Sequence, residues 1–327
     1  MNASVLAAPP AFYRDGRFLL AAAVIIGIIA PFVVYPVFLM NALCWALFAS
    51  AFNLLLGYVG LLSFGHAAYF GGAAYVTAYL MKNYGLPPEL GILAGTAAAT
   101  LMGAIFGAVA TKRHGIAFSM VTLALAQMLY FYALQTPLSG GEDGIQSVPR
   151  GKLFGFIDLD QQMNLYFLVL GIFCIGMAII HRAVHSPFGW VLKGIRQNEP
   201  RAISLGYKTS RYKFMAFVLS AGLSGLAGAT QTLVFQIASL TGIHWAVSGE
   251  VVLMTILGGT ATLLGPIVGA FVILAMFNYL TQFGSWVTVM QGVVFIVCVL
   301  AFRDGIVGEL RNWLVRRQRR PSARPAQ

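Results

Sequence analysis

Apolar residues run along this chain in blocks much longer than a soluble core requires, and the charged residues fall between the blocks. Residues 18–81 are 64 consecutive positions without Asp, Glu, Lys or Arg, and residues 251–302 are another 52. Four shorter charge-free intervals lie between them, at 90–111, 114–141, 161–181 and 214–249. A helix rises about 1.5 Å per residue and the hydrocarbon layer is about 30 Å thick, so one crossing takes about 20 residues. On that measure the first long interval predicts three crossings, the last two or three, and each shorter interval one. The pattern predicts an all-α, polytopic membrane helical bundle of about ten transmembrane helices.

Charge placement orients the bundle, because basic residues in short loops gather on the cytoplasmic side. Arg14 and Arg17 precede the first apolar run, and Lys112 and Arg113 follow the fourth crossing. Residues 182–213 carry Arg182, Lys193, Arg196, Arg201, Lys208, Arg211 and Lys213 against the single acid Glu199. All of these read as cytoplasmic. Residues 136–162 hold Glu142, Asp143, Asp158 and Asp160 against Arg150 and Lys152, and read as an external loop. Ten crossings place both termini in the cytoplasm. The chain then divides into a cytoplasmic N-terminal segment (1–17), a transmembrane permease domain (18–302) and a basic cytoplasmic tail (303–327). One of the short spans 247–263 and 265–282 could instead be re-entrant. Arg14 and Arg17 before Ala21, Ala22 and Ala23 also fit a signal peptide, but the crossing parity favours a retained first span.

Composition narrows the classes. Hydrophobic residues make up 59% and charged residues only 9% of the 327 positions, where soluble domains carry about 25% charge. That excludes an ordinary soluble enzyme and a disordered chain. The net charge of +11 is concentrated in loops and tail, which reads as attraction to anionic membrane lipid and not to nucleic acid. Cys44, Cys174 and Cys298 lie inside apolar runs with no metal or disulfide spacing, and read as small buried hydrophobes. No cluster of ligating or nucleophilic side chains suggests a metal, a bound cofactor or a catalytic centre.

Small residues set the packing. Gly91, Gly95, Ala99, Gly103 and Gly107 recur every fourth position and form one smooth helix face, as do Ala221, Gly225 and Ala229; Gly265 and Gly269 repeat the spacing. Pro31 and Pro36 interrupt the first span. Two glycine-rich breaks, at 60–66 and 258–266, are candidates for exposing backbone to a substrate, as broken helices do in transporters. Their residues Ser63, Gly65, His66, Gly258, Gly259 and Gly265 are the candidate translocation-path positions; a kink or close helix crossing is the plainer explanation of each. Asn53, Gln127, Gln231 and Asn278 also lie within apolar runs. Glu250, at the edge of the eighth span, is the one acid with a claim to membrane depth, so no midplane ion cradle is evident.

The 182–213 loop contains a start and a stop. Pro200 after Asn198 and Glu199 suits a helix start, and Gly206 suits its end. A short cytoplasmic helix over 199–205 is predicted.

These residues carry a resemblance. Glu199, Ala202 and Gly206 resemble the coupling-loop core of permease subunits in ATP-binding-cassette importers. The runs 196–228, 57–71, 140–145 (Gly-Gly-Glu-Asp-Gly-Ile) and 255–266 together resemble the second membrane subunit of branched-chain amino-acid importers, a likeness extending from about residue 50 to residue 282. Pro200 and Arg201 depart from it, standing where the importer motif has small residues. The resemblance implies a subunit of the cytoplasmic (inner) membrane that works with a second related permease, two cytoplasmic ATPases and an external or periplasmic substrate-binding protein. It implies ATPase coupling through 194–206, with Arg196, Glu199, Ala202 and Gly206 as its residues, and ATP and Mg held by the partners. The chain itself has no Gly-x-x-x-x-Gly-Lys-Ser/Thr phosphate loop and is not expected to be an enzyme. A urea or short-amide importer is the alternative cargo reading. An ion-coupled carrier or channel, and an intramembrane enzyme, are the alternative classes.

Overall fold

The computed structural model describes residues 27–32, 34–280, 289, 292–293, 296 and 305–309. The N-terminal segment 1–17, Cys298 and the tail from 310 onward lie outside the described residues.

Helix boundaries follow local chemistry. Helix α1 (Pro36–Leu56) opens on Pro36 and is preceded by a single 3₁₀ turn at Ala30–Phe32 that contains Pro31. Helix α2 (His66–Tyr84) stops at Gly85, whose φ of +60° is the left-handed conformation that favours glycine. Helix α3 (Pro88–Ala110) opens on Pro88 with Glu89 against the positive end of the helix, and α4 (Ile116–Gln135) follows after Gly115. Helix α5 (Gln162–His185) runs into Pro187, where α6 (Pro187–Gln197) begins, followed by α7 (Glu199–Ser204) and α8 (Thr209–Phe235). Helices α9 (Trp245–Gly258) and α10 (Gly265–Leu280) complete the described bundle.

The expected count of about ten transmembrane helices is corrected. Among the described residues five helices are long and apolar enough to cross a membrane: Pro36–Val59, Pro88–Ala110, Ile116–Gln135, Gln162–His185 and Thr209–Phe235. The long charge-free intervals misled the count for a physical reason. The first includes the non-helical stretch 60–65 and α2, which is not among the five. Helix α2 has the length of a crossing but not the apolarity, because His66, four tyrosines, Thr77, Lys82 and Asn83 stand among its 19 residues: an uncharged run is not always an apolar one. The last interval begins with most of α9 and contains α10, helices of 14 and 16 residues. At about 1.5 Å per residue these are some 21 and 24 Å long, short of the hydrocarbon thickness. The parity argument for both termini falls with the count.

Helix α8 sits at the centre, packed against α1, α2 and α3, while α4 turns most of its surface away from the protein. The four-residue stripes explain the close fit. A Cβ at Gly103 would strike the Ala221 side chain, and one at Gly225 would strike Ala99. At Gly228 it would strike the Phe70 carbonyl of α2. Backbones meet with almost no side chain between them, which gives dispersion contact where lipid offers no hydrophobic contrast. Gly258 and Gly269 fit α9 against α10 in the same way.

The segment between α4 and α5 is a folded cap at the end of α8 remote from 182–213. Its strand β1 (Ile145–Gln146) pairs antiparallel with β4 (Ile237–Ala238), and β2 (Lys152–Leu153) pairs with β3 (Ile157–Asp158). Arg150 donates to the Leu233 and Val234 carbonyls at 3.1 and 2.9 Å, satisfying two of the open acceptors that end α8.

Candidate functional site

The basic segment 182–213 folds into two short helices set against the base of the bundle. Only Ser186 separates α5 from α6. The Asn198 side chain accepts from the Arg201 backbone N–H at 3.0 Å and caps α7. Gly206, at φ +88°, ends the turn after α7 in a conformation that would strain a side chain. Ala202 is buried beneath it.

Two polar contacts fasten this unit. Arg196 donates from Nη1 to the carbonyl of Gly57, at the C-terminal end of α1. Glu199 pairs with Lys213 of α8 at 2.5 and 2.6 Å, and His114 approaches the same carboxylate at 3.7 Å. Lys213 is only 3% exposed, and its Nζ also lies 3.4 Å from His114 Nδ1. Burial alone would raise the Glu199 carboxyl pKa. The hydrogen bond and charge of Lys213, with smaller help from Thr209 and His114, outweigh that and hold it below its ordinary value. Arg196, Glu199, His114 and Lys213 line one cavity of about 430 Å³, with Gly60 on its wall. The outer surface of the unit is different: Trp190, Ile203 and Leu205 are exposed beside Lys193 and Arg201.

The candidate path residues lie deeper, in two groups. Ser63 and His66 are fully buried. The Ser63 hydroxyl accepts from the Gly65 N–H at 3.2 Å, and a Cβ at Gly65 would meet the Thr122 carbonyl. His66 Nε2 is 2.8 Å from Ser220 Oγ, which donates to the Ala51 carbonyl. Phe52, Tyr69 and Phe217 surround its ring edge-on, and its Nδ1 has no hydrogen-bond partner among the described residues. The backbone of the break is satisfied by protein: Phe64 N–H by Thr122, the Leu62 carbonyl by Ser119, and Ala67 N–H by Ser248. Gly258, Gly259 and Gly265 are also buried, and Gly258 and Gly265 meet backbone to backbone.

The two breaks are joined through α1. Asn53 donates to the Thr262 carbonyl at 2.8 Å and accepts from the Ala261 N–H at 3.1 Å. Gly57, the residue that receives Arg196, lies so close to Ala261 that a Cβ would be 2.6 Å from its backbone nitrogen. The structure therefore brings Arg196, Glu199 and the start of the first break together and links them through Gly57 to the second. It does not bring the six path candidates into one open channel. Lys213, His114 and Gly57 were not singled out by sequence reasoning. A lysine flanked by Tyr212 and Phe214 at the start of an apolar helix was the available signal for the first.

Five long apolar helices, with a short helical unit fastened at one end of the bundle, are the architecture of a membrane transport protein. Residues 36–301 match the family described as branched-chain amino acid transport system / permease component, and the chain belongs to that family. It is 25% identical over 290 residues to the high-affinity branched-chain amino acid transport system permease protein LivM of Escherichia coli (strain K12), covering 80% of this chain and 67% of that protein. It is 24% identical to LivM of Salmonella typhimurium (strain LT2) over the same shares. A further relative, the ribose import permease protein RbsC of Bacillus subtilis (strain 168), is 27% identical over 233 residues, 67% of this chain and 69% of that one. The protein is a multi-pass permease of the cytoplasmic membrane. At the level of the family it belongs to an ATP-binding-cassette-type system, which typically pairs such a permease with ATPase and substrate-binding components.

Proposed function

We propose that this chain is a membrane-spanning subunit of an ATP-driven importer of branched-chain amino acids, coupled to its ATPases through residues 194–206. The single observation that carries the reading is the two-point fastening of the α6–α7 unit, by Arg196 to Gly57 and by Glu199 to Lys213. A helix pair held by polar contacts to both α1 and α8 passes a displacement into the bundle, where a loosely tethered loop would absorb it. Its exposed Trp190, Ile203 and Leu205 among basic residues offer an apolar surface with a charged rim, the make-up of a protein contact. A socket of about 440 Å³ between the two helices, lined by Trp190, Arg201 and Leu205, would receive the ATPase. Arg201 gives that docking a charge that the small residues of the general importer motif lack.

In this reading a second related permease completes the path, two cytoplasmic ATPases close on ATP and Mg, and their closure pushes α7. The push biases the bundle between inward- and outward-facing packings. The folded cap at 136–161 is the seat for the external binding protein. Amino-acid cargo is favoured over urea, amides or sugar by the two LivM relatives, whose matches cover more of this chain than the ribose permease does.

The test is leucine uptake by the assembled transporter in proteoliposomes with ATP supplied. Replacing Glu199→Ala or Gly206→Val should cut uptake at least tenfold while all subunits still co-purify. Uptake equal to wild type in both variants would refute coupling through this unit. No leucine uptake by the wild type would refute the cargo.

A further inference from the structure

Glu250 has no hydrogen-bond or ion-pair partner among the described residues, and the cavity beside it fits a particular charge. It stands in the second turn of α9 and is only partly exposed. It lines a cavity of about 370 Å³ at the end of α8 away from the 182–213 unit. Trp45 and Phe70 form an aromatic wall, their rings 5.7 Å apart. Gln231 and the hydroxyls of Ser239 and Thr241 supply polar groups, with Gln231 oriented by a 3.1 Å hydrogen bond to Asn41. The volume falls toward the small end of the roughly 300–1,000 Å³ range of ligand cavities.

The chemistry of these groups selects a cation with an apolar body. A half-buried carboxylate without a partner is stabilised when a positive charge reaches it, more strongly than one fully in water. Aromatic faces attract the same charge and also accept aliphatic groups. A hard metal ion is a poor occupant, since it needs six or more oxygen ligands and the described residues contain no group of three ligating side chains. An organic ammonium needs one carboxylate, a π face and a few acceptors.

We propose that this cavity is a cargo subsite in which Glu250 receives the ammonium group of the amino acid while Trp45 and Phe70 take its aliphatic part. The inference rests on the amino-acid reading above and adds a residue that selects for the charged amine. A neutral urea or amide would gain only a hydrogen bond from Glu250, without the attraction of opposite charges.

The assembled transporter, without binding protein, is titrated with L-leucinamide, which carries the ammonium, and with 4-methylpentanamide, which keeps the same carbon skeleton and lacks it. Tryptophan fluorescence is read in the wild type and in Trp45→Phe. Saturable quenching by leucinamide at a concentration at least tenfold below the neutral amide, absent in Trp45→Phe, is expected from the charge-assisted contact. In uptake assays Glu250→Gln should raise KM for leucine about tenfold or more, and Glu250→Asp should recover most of it. Equal quenching by the two amides, or unchanged KM in Glu250→Gln while the wild type imports leucine, overturns the subsite alone. A wild type that imports only uncharged cargo overturns the amino-acid reading together with it.

Discussion

The two ends of the bundle each hold an acid close to the protein interior and treat it in opposite ways. At the base, Glu199 is locked to Lys213 at 2.5 Å, with His114 beside it. At the far end, Glu250 faces a cavity and meets no partner among the described residues. A paired charge ties two elements into one mechanical piece and is expensive to break. An unpaired one weakens the fold and leaves its interaction energy for something that arrives from outside. The difference teaches where this molecule transmits and where it receives.

Substitution at the two acids and their neighbours should therefore change stability with opposite signs. The largest effect is expected from Lys213→Met, which strands the Glu199 carboxylate: a loss of about 2 kcal/mol, read as a lowered midpoint of thermal unfolding in detergent. Adding Glu199→Leu to that variant should restore most of the stability, because no charge is then left unpaired, while leucine uptake stays low. Recovery of uptake in the double variant would show that the pair is structural and transmits nothing. Next in size is Glu250→Gln, expected to raise the same midpoint by the equivalent of roughly 0.5–1 kcal/mol. A lowered midpoint there would remove the contrast between the ends. The smallest effect belongs to His114→Ala, within about 0.5 kcal/mol, since an exposed pair is screened by water. The pH response should follow Glu199. Its pKa is depressed in the folded protein, so its stabilisation is complete above the ordinary carboxylate value and is lost only as pH falls through the lowered one. The unfolding midpoint of the wild type should thus lose a Glu199-dependent increment in acid and none between pH 6 and 8, as a pH series on wild type and Glu199→Gln would show.

Several features were legible from residues alone because they are local. Pro200 and Gly206 bracket α7, and the four-residue spacing of Gly91 through Gly107 marks the face that meets α2 at its start and α8 from Gly95 onward. The number of crossings was not legible. The absence of charge does not measure apolarity, and α2, uncharged until Lys82, is not among the five helices apolar enough to cross. Helix α6 was missed although Ser186 and Pro187 mark its start, because the basic residues around it read as loop. The pairing of Glu199 with Lys213 and the link from Arg196 through Gly57 to Ala261 join positions 14 to 204 residues apart. Only the packed bundle reveals such contacts. Glu250 was noticed as an acid near the membrane, but its cavity is built from four helices and the strand β4 segment, and no spacing along the chain announces it.

The interlocking of α8 with α2 and α3 has a bearing on how the two ends communicate. Where Gly103, Gly225 and Gly228 bring backbones into contact, no soft side-chain layer remains to be compressed. Lys213 stands near one tip of a rod about 40 Å long, and Gln231 stands near the other. A nudge at the lysine is conveyed along its length as through a shaft in a close-fitting sleeve, and the wall of the distant cavity shifts with it.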